Sequence, residues 1–205
     1  MLGAIHADHE AFIYTSGAWV YGDTDGETVD ESTQLNPIPL VAWRPAHERK
    51  VQDAQKHKLR TIVIRPGLVY GGHGGLTAMM REQAKQHKLA IVGNGNNHWA
   101  TIHVVALAEL YLLAMEEAPA DSIYNAVNDD TPTYGEIAHA ASRAAHGGEH
   151  LETIPLQRAR EMMGPFADAL ALDQHISSAK ARRELNWDPR EKTVLEELAA
   201  LAVST

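Results

Sequence analysis

Cysteine does not occur among the 205 residues of the chain. Its absence excludes disulfide bonds, thiol nucleophiles and metal sites built on thiolates, and it fits a reducing compartment. The amino-terminal letters MLGAIHADHE also lack the basic start and the apolar core of a signal peptide. The sequence therefore predicts a cytoplasmic protein.

Positive charge and long apolar runs are scarce. Lys and Arg number 18 against 27 Asp and Glu, which gives a formal net charge of −9. The chain has no basic cluster of the kind that binds phosphate backbones, and no apolar run long enough to cross a bilayer. We therefore expect neither a nucleic acid nor a membrane among its partners.

Two short apolar runs are present, at residues 12–15 (FIYT) and 61–64 (TIVI). Both are continuous rather than alternating, which is typical of parallel strands covered on both faces by helices. Residues 44–56 between them favour a helix, with Pro45 in its first turn, where the missing N–H costs nothing. Strand, helix, strand predicts an α/β fold with a parallel sheet.

The rest of the chain continues this pattern. We predict helices over residues 76–87 and 104–117, strands over 90–92 and 122–127, and a helix from Thr133 with Thr131 or Thr133 as its cap. The last fifty or so residues look mostly helical. The expected organisation is a sheet-bearing region at residues 1–130 and a smaller, mostly helical, substrate-side region at 131–205.

Several motifs occur in the order that one family shows. These are YTSGAWVYGD, an acidic turn (VDES), TIVIRPGLVYGGHGG, VGNGNNHWATIHVVALAELYLLAME and the closing SSAKARRELNWDPR. Together they are similar to the second half of the extended short-chain dehydrogenase/reductases, also called the NAD-dependent epimerase/dehydratase family. The chain resembles an atypical branch of that family. The resemblance implies the carboxyl-terminal part of a Rossmann-type sheet.

The family's fingerprint G-x-x-G-x-x-G, which binds the cofactor pyrophosphate, is not found in the sequence. In the family it precedes the YTSG strand, which is the fifth strand of the sheet. At about 30 residues per βαβ unit, about three units would lie ahead of Met1. The resemblance therefore implies either a truncated chain or a protein that works without the pyrophosphate-binding turn. In the first case the cofactor is NAD or NADP and its binding is impaired.

Family catalysis uses a Ser or Thr near the fifth strand, and a Tyr and a Lys four residues apart on the next helix. The motif places Gly17 where the catalytic hydroxyl most often lies, directly after Thr15 and Ser16. We expect Ser16 to bond a substrate oxygen, and Thr15 and Gly17 to contact the cofactor. The alternative is that Thr15 and Ser16 only cap the strand end.

The Tyr–Lys pair has no clear equivalent. When Glu48 is taken as the acidic anchor of the helix, Arg44 stands at the Lys position and Leu40 at the Tyr position. A second alignment puts Trp43 and His47 there instead, and neither restores a phenol. Arg44 fits ribose or phosphate binding, whereas its high pKa excludes proton donation at neutral pH. His47 is the acid–base candidate, with a solvated helix position as the alternative.

The segment RPGLVYG resembles the family segment whose backbone passes the nicotinamide. Pro66, Gly67, Leu68 and Val69 are therefore expected to contact the cofactor, and Gly67 lets the main chain approach a ring closely. The glycine-rich run after Tyr70 lacks the Gly-Lys-Ser/Thr ending of a phosphate loop.

Four residues are candidates for contacting substrate: Trp43, His73, His98 and Trp99. The last two follow a Gly-Asn-Gly turn where sugar-nucleotide epimerases carry an Arg that this chain lacks. His6 with His9, and His146 with His150, have helical spacing, but neither pair has a convincing third ligand. We expect these histidines to be solvated and predict no metal site.

The resemblance implies an NAD(P)-dependent oxidoreductase or epimerase/dehydratase that acts on a small polar, sugar-like substrate. The alternative is a non-catalytic nucleotide-binding or regulatory protein of the same fold, which the missing phenol and the missing fingerprint favour. The family often forms homodimers through the helices beside the active site, and residues 44–56 would form one of these here.

Overall fold

The computed structural model describes residues 11–54, 59–72, 74–145 and 151–203. Its centre is a parallel sheet of three strands in the order β1-β3-β7, formed by Ala11–Thr15, Arg60–Pro66 and Ser122–Ala126. Thr15 is opposite Ile64, and Arg65 is opposite Asn125. The carboxyl ends of the strands therefore meet at one edge. The predicted α/β fold with a parallel sheet is confirmed.

Eight α-helices surround the strands in the described residues. They are α1 Arg44–Asp53, α2 Gly75–Lys85, α3 Val104–Glu117, α4 Tyr134–Ala144, α5 Leu156–Met163, α6 Phe166–Leu170, α7 Ala179–Leu185 and α8 Val194–Val203. Two 3-10 helices cover Ala18–Tyr21 and Pro39–Val41. Thr133 is the cap of α4, where its hydroxyl and the Glu136 side chain form a capping box, so Thr133 rather than Thr131 fills the predicted role.

Six further strands are short. They are β2 Thr28–Val29, β4 Leu68–Tyr70, β5 Ala90–Val92, β6 Thr101–His103, β8 Glu152–Ile154 and β9 His175–Ile176. They pair in parallel as β2-β9, β4-β6 and β5-β8. Of these six, the sequence pattern predicts only β5, whose three residues are all apolar. The other five are too short or too mixed in composition to indicate a strand.

The apolar helix α3 packs on the sheet through small and branched residues. Ala106 and Leu110 are fully buried with Ile62, Ile64 and Trp187 in one core cluster. The indole N–H of Trp187 donates to the Ala106 carbonyl oxygen at 2.9 Å, which ties the closing segment of the chain to α3. Among the described residues, no helix combines the length and the apolar composition needed to span a membrane.

Candidate functional site

A cavity of about 200 Å³ opens at the carboxyl ends of β1 and β3. It is lined by three chain segments that follow or flank these strand ends. The lining residues are Ser16, Gly17, Ala18, Trp19, Arg44, Pro66, Gly67, Leu68 and Val69. The structure thus brings together Ser16, Arg44 and Gly67, for which the family resemblance implies contacts with substrate or cofactor.

The backbone at the strand ends fixes this arrangement. The Ser16 N–H donates to the Ile64 carbonyl oxygen at 2.8 Å, which continues the β1–β3 ladder by one residue. The Gly67 N–H donates to the Ala126 carbonyl oxygen at 3.0 Å, on the opposite side of β3. A side chain at Gly67 would have no room, because its Cβ would lie 2.5 Å from the Ala100 carbonyl oxygen.

Arg44 is the first residue of α1 and crosses the cavity toward β1. Its Nη1 donates to the Ser16 carbonyl oxygen at 2.5 Å, and its Nε is buried without a hydrogen-bond partner among the described residues. A Cβ at Gly17 would lie 2.2 Å from the same Nη1. The absence of a side chain at Gly17 is therefore what admits the guanidinium.

Ser16 is one of the residues that line this cavity, and its hydroxyl has no partner among the described residues. The residue is 3% exposed, and its Oγ is buried with no hydrogen-bond partner in the described part of the chain. A buried polar atom without a partner is uncommon because its desolvation costs about 1–3 kcal/mol. A hydroxyl of this kind on a cavity wall is suited to a polar ligand atom.

A buried charged network lies below the cavity and joins α1 to β3. Arg65 donates from Nε and Nη2 to both carboxylate oxygens of Glu48, at 3.1 and 2.6 Å, and from Nη1 to the Tyr21 hydroxyl at 2.8 Å. The Tyr21 hydroxyl then donates to Asn125 Oδ1 at 2.7 Å. Burial alone would lower the pKa of Arg65, but its bonds to Glu48 raise it overall. Arg65 is therefore a permanent charge that holds α1 in position.

Residues 1–127 match the model of the NAD dependent epimerase/dehydratase family. The chain belongs to this family. An uncharacterised protein of Schizosaccharomyces pombe is 30% identical over 205 residues, with 97% of this chain and 67% of that protein covered. A relative from Saccharomyces cerevisiae, also uncharacterised, is 26% identical over 208 residues, which cover 98% of this chain and 66% of that protein.

Named family members are also similar to parts of the chain. The 2-alkyl-3-oxoalkanoate reductase of Stenotrophomonas maltophilia is 33% identical over 79 residues, which cover 38% of this chain and 24% of the reductase. The Bacillus anthracis dTDP-glucose 4,6-dehydratase in complex with NAD superimposes with a TM-score of 0.75 at 19% identity, covering 94% of this chain and 61% of that one. The chain therefore has the family's Rossmann-type fold and spans about two thirds of these proteins or less.

The cavity lined by Ser16, Arg44 and Gly67 is called the family cavity below. Several site residues predicted from the sequence lie away from it. His47 is exposed, its Nδ1 is 3.0 Å from the Trp43 carbonyl oxygen, and its ring packs edge-on against the half-exposed Trp43. Neither residue lines the cavity. The reason is helical phase, since Arg44 and Glu48 face the sheet while residues 43 and 47 face outward. Thr15 is also outside the cavity and hydrogen-bonds the Tyr111 hydroxyl.

The structure places Trp99 in a hydrophobic core cluster. Its ring stacks on Tyr134 with centroids 4.4 Å apart, and its Nε1 donates to the Leu170 carbonyl oxygen at 3.2 Å. His98 is near the surface, 2.9 Å from Asp173 through its Nδ1. His73 lies outside the described residues, as do the pairs His6 with His9 and His146 with His150.

Three residues near the cavity are not predicted by the sequence. Ala18 and Trp19 line it because the 3-10 helix turns back toward the strand end. Tyr14 has a buried hydroxyl without a partner in the described ranges, and burial raises the pKa of that phenol, while the nearby Arg44 charge opposes the rise. The family pattern has its phenol on the helix after β1, whereas Tyr14 is on β1 itself.

Proposed function

We propose that the chain forms the nicotinamide-facing part of an NAD(P)-dependent oxidoreductase or epimerase/dehydratase that acts in the cytoplasm on a small polar substrate, sugars included. The supporting observation is that Ser16, Arg44 and Gly67 line one cavity at the carboxyl ends of neighbouring parallel strands. In open α/β sheets this edge is where ligands bind. The Ser16 hydroxyl and the Arg44 Nε, both buried and without partners among the described residues, are suited to the polar atoms of such a ligand.

Each residue has a distinct role in this proposal. A bound nicotinamide would supply hydride transfer to or from a carbon that bears oxygen. The Ser16 hydroxyl would hydrogen-bond the oxygen of the reacting carbon or the carboxamide beside it. Arg44 would bind ribose hydroxyls or a phosphate, since its planar fork suits both and stays charged. Gly67 would bring main-chain atoms against the ring.

The size of the cavity limits what it can hold. Its volume of about 200 Å³ is below the range of about 300–1,000 Å³ that is typical of small-molecule sites. It therefore suits a single ring and its neighbouring atoms rather than a whole dinucleotide. Since the sequence has no G-x-x-G-x-x-G turn to bind a pyrophosphate at a helix N-terminus, we expect the 205-residue chain to bind NAD(P) weakly.

Titration of the chain with NADH and with NADPH, followed by nicotinamide fluorescence, tests this assignment. Loss of a charged hydrogen-bonding group is worth about 1.5–3 kcal/mol, so Arg44→Leu should weaken binding by about 10- to 100-fold. Ser16→Ala should weaken it less. Arg49→Leu is the matched control, because Arg49 is exposed on the same helix and does not line the cavity. Equal binding by the Arg44→Leu and Arg49→Leu variants would overturn the proposal.

Turnover distinguishes the enzyme from the alternative, a non-catalytic nucleotide-binding or regulatory protein. Two observations favour that alternative. Among the described residues no tyrosine lines the cavity. Leu40, which the first alignment puts at the family's Tyr position, is an exposed apolar residue. The assay panel follows the two similar proteins of named activity, and consists of a 2-alkyl-3-oxoalkanoate and dTDP-glucose. Nucleotide binding that is sensitive to Arg44→Leu but gives no turnover on either of these would support the regulatory function.

Self-association is a further part of the proposal. Helix α1 and the residue before it present Trp43 and His47 outward as an exposed aromatic pair beside the cavity. Exposed aromatic residues are enriched in protein interfaces. We expect a homodimer through this helix, and light scattering after gel filtration should give twice the mass of 22.5 kDa. Trp43→Glu should return it to the monomer.

A further inference from the structure

A cluster of two histidines and one aspartate lies outside the family cavity. His98, Asp173 and His175 each offer one ligand atom, and these atoms lie within 4.8 Å of one another. His98 Nδ1 is 2.9 Å from Asp173 Oδ1, and His175 Nε2 is 3.7 Å from Asp173 Oδ2. The two imidazole rings are tilted against each other with centroids 4.5 Å apart.

We propose that His98, Asp173 and His175 bind a divalent transition-metal ion, with Zn²⁺ as the best candidate. Imidazole nitrogen and carboxylate oxygen are ligands that Zn²⁺ takes at about 2.0–2.2 Å, which puts two tetrahedral ligand atoms about 3.3–3.6 Å apart. The Asp173–His175 separation is close to that value. A metal ion would replace the proton that His98 Nδ1 and Asp173 Oδ1 now share.

The backbone around the cluster holds the three side chains in place. The His98 N–H donates to Asp173 Oδ1 at 2.6 Å, which orients the carboxylate and leaves Oδ2 toward His175. Between the two ligands from the carboxyl-terminal segment, the Gln174 N–H donates to the His98 carbonyl oxygen at 3.0 Å. Outer hydrogen bonds of this kind fix ligand orientation in metal sites.

Two further contacts make this support rigid. The buried Gln174 amide donates to the carbonyl oxygens of Ala18 and Gly22 at 3.0 and 2.8 Å, and the His175 N–H donates to Thr24 Oγ1 at 3.1 Å. Since Ala18 lines the family cavity, the metal-binding segment and the cavity wall share one hydrogen-bonded support. The metal proposal does not depend on the identity of the cofactor.

The charge at the cluster also favours a cation. In the described part of the chain, the Asp173 carboxylate contacts the rings of His98 and His175 and forms no salt bridge with a Lys or Arg. A second carboxylate is adjacent, because the Asp173 N–H points to Asp23 Oδ2 at 3.3 Å. The ligand side chains are 35%, 27% and 22% exposed for His98, Asp173 and His175. An ion could therefore enter from solvent and keep at least one coordination position for water or a small ligand.

This proposal differs from the sequence-based expectation of no metal site. That expectation rests on histidine pairs with helical spacing. The ligands here come from residues 98 and 173–175, which only the fold brings together. The structural alternative is a hydrogen-bonded His–Asp pair that stabilises two loops and binds no metal.

Titration of the chelator-treated chain with Co²⁺ and with Zn²⁺ tests the proposal. Co²⁺ reports its coordination by visible absorption, and calorimetry gives the Zn²⁺ affinity. We expect one site that loses at least about 10-fold in affinity in each of His98→Gln, Asp173→Asn and His175→Gln. His47→Gln and His139→Gln are matched controls, because both histidines lie in the described residues outside the cluster, and both should bind as the wild type does.

The outcomes separate the two possibilities. If the three cluster variants bind Zn²⁺ as tightly as the controls do, the site is elsewhere and the proposal fails. If Asp173→Asn does not fold, His175→Gln still decides the question, because the bonds in which β9 pairs with β2 are backbone bonds that this change leaves intact. As a second measurement, Zn²⁺ should raise the thermal midpoint of the wild type and of His139→Gln but not that of His175→Gln. Equal rises in all three would overturn the assignment.

Discussion

Two pairs of a carboxylate with a basic side chain occur in different surroundings in this protein. Below the family cavity, Arg65 and Glu48 are in contact at 2.6 Å, with side chains only 4% and 3% exposed. Near the surface, His98 and Asp173 are in contact at 2.9 Å, with side chains 35% and 27% exposed. The contacts are alike in kind, but water reaches only the second pair. The difference indicates that the first pair fixes the fold and the second is available for other partners.

The buried pair should give the largest effect. Glu48→Leu leaves the Arg65 guanidinium uncompensated inside the protein, and we expect the free energy of unfolding to fall by about 3–5 kcal/mol. Urea denaturation measures this change. Glu161→Leu is the matched control, because Glu161 pairs with Arg158 at 2.8 Å on the surface, where such a pair is worth at most about 1 kcal/mol.

A double variant sharpens the same test. Glu48→Leu with Arg65→Leu removes both charges, so it should recover part of the stability lost by Glu48→Leu alone. If the single change costs no more than the Glu161 control, Arg65 is not held as a buried charge and the contrast between the two pairs is lost.

Two strands of the central sheet, β1 and β3, could be predicted because each contains a continuous run of mostly apolar residues. Residues 61–64 are all buried in β3, and burial on both faces removes the alternation that half-exposed strands show. Leu68–Tyr70 and Thr101–His103 could not be predicted, because each has three residues and their pairing depends on backbone bonds that no local pattern encodes. Pro66 and Gly67, which precede β4, are also residue types that indicate a turn or loop in a sequence.

The candidate site also contains residues that could be predicted from the sequence and residues that could not. Ser16, Arg44 and Gly67 could be placed together because the family resemblance assigns each to the end of a strand or the start of a helix. Trp43 and His47, which the second alignment proposes, are exposed and do not line the cavity. The cluster of His98, Asp173 and His175 could not be predicted, since residues separated by 75 positions meet there only after the chain has folded.

Replacing either of two glycines that line the cavity, Gly67 and Gly17, should cause the next largest loss of stability. Gly67→Ala would put a Cβ 2.5 Å from the Ala100 carbonyl oxygen, and backbone cannot easily give way, so overpacking should cost about 1–3 kcal/mol of unfolding free energy. Gly17→Ala meets the movable end of the Arg44 side chain instead. It should cost less than Gly67→Ala in the same urea experiment, and a larger cost for Gly17→Ala would contradict this account.

The α4 cap tests the more exposed region, where His98 and Thr133 form a backbone bridge. The Thr133 hydroxyl accepts from the Glu136 N–H at 3.2 Å. Thr133→Ala should therefore cost about 1 kcal/mol of unfolding free energy. Thr131→Ala, two residues earlier, removes no cap and should stay within about 0.5 kcal/mol of the wild type. Equal costs for the two variants would show that the capping box adds nothing.

The smallest effect should depend on pH. Burial alone would raise the pKa of Asp173, but hydrogen bonds from the His98 backbone and ring, together with the His175 charge, lower it overall. A carboxyl group whose folded-state pKa is lowered adds stability above its unfolded-state value of about 3.9. That stability is lost as the pH falls through the folded-state pKa.

Asp173→Asn should therefore lower the unfolding free energy at neutral pH by at most about 1 kcal/mol, since the pair is solvent-screened. Below about pH 4 the wild type and the variant should converge. Urea unfolding across this range, with a chelator present so that no metal ion adds to the difference, measures the change. The groups facing Asp173 are His98, His175 and Asp23, so His98→Gln should remove most of the Asp173→Asn effect in a double-mutant cycle. If the wild type is instead less stable than Asp173→Asn at neutral pH and the gap closes as the pH falls below about 4, the carboxylate is destabilising in the folded protein. The contrast with Glu48 would then be one of sign rather than of size.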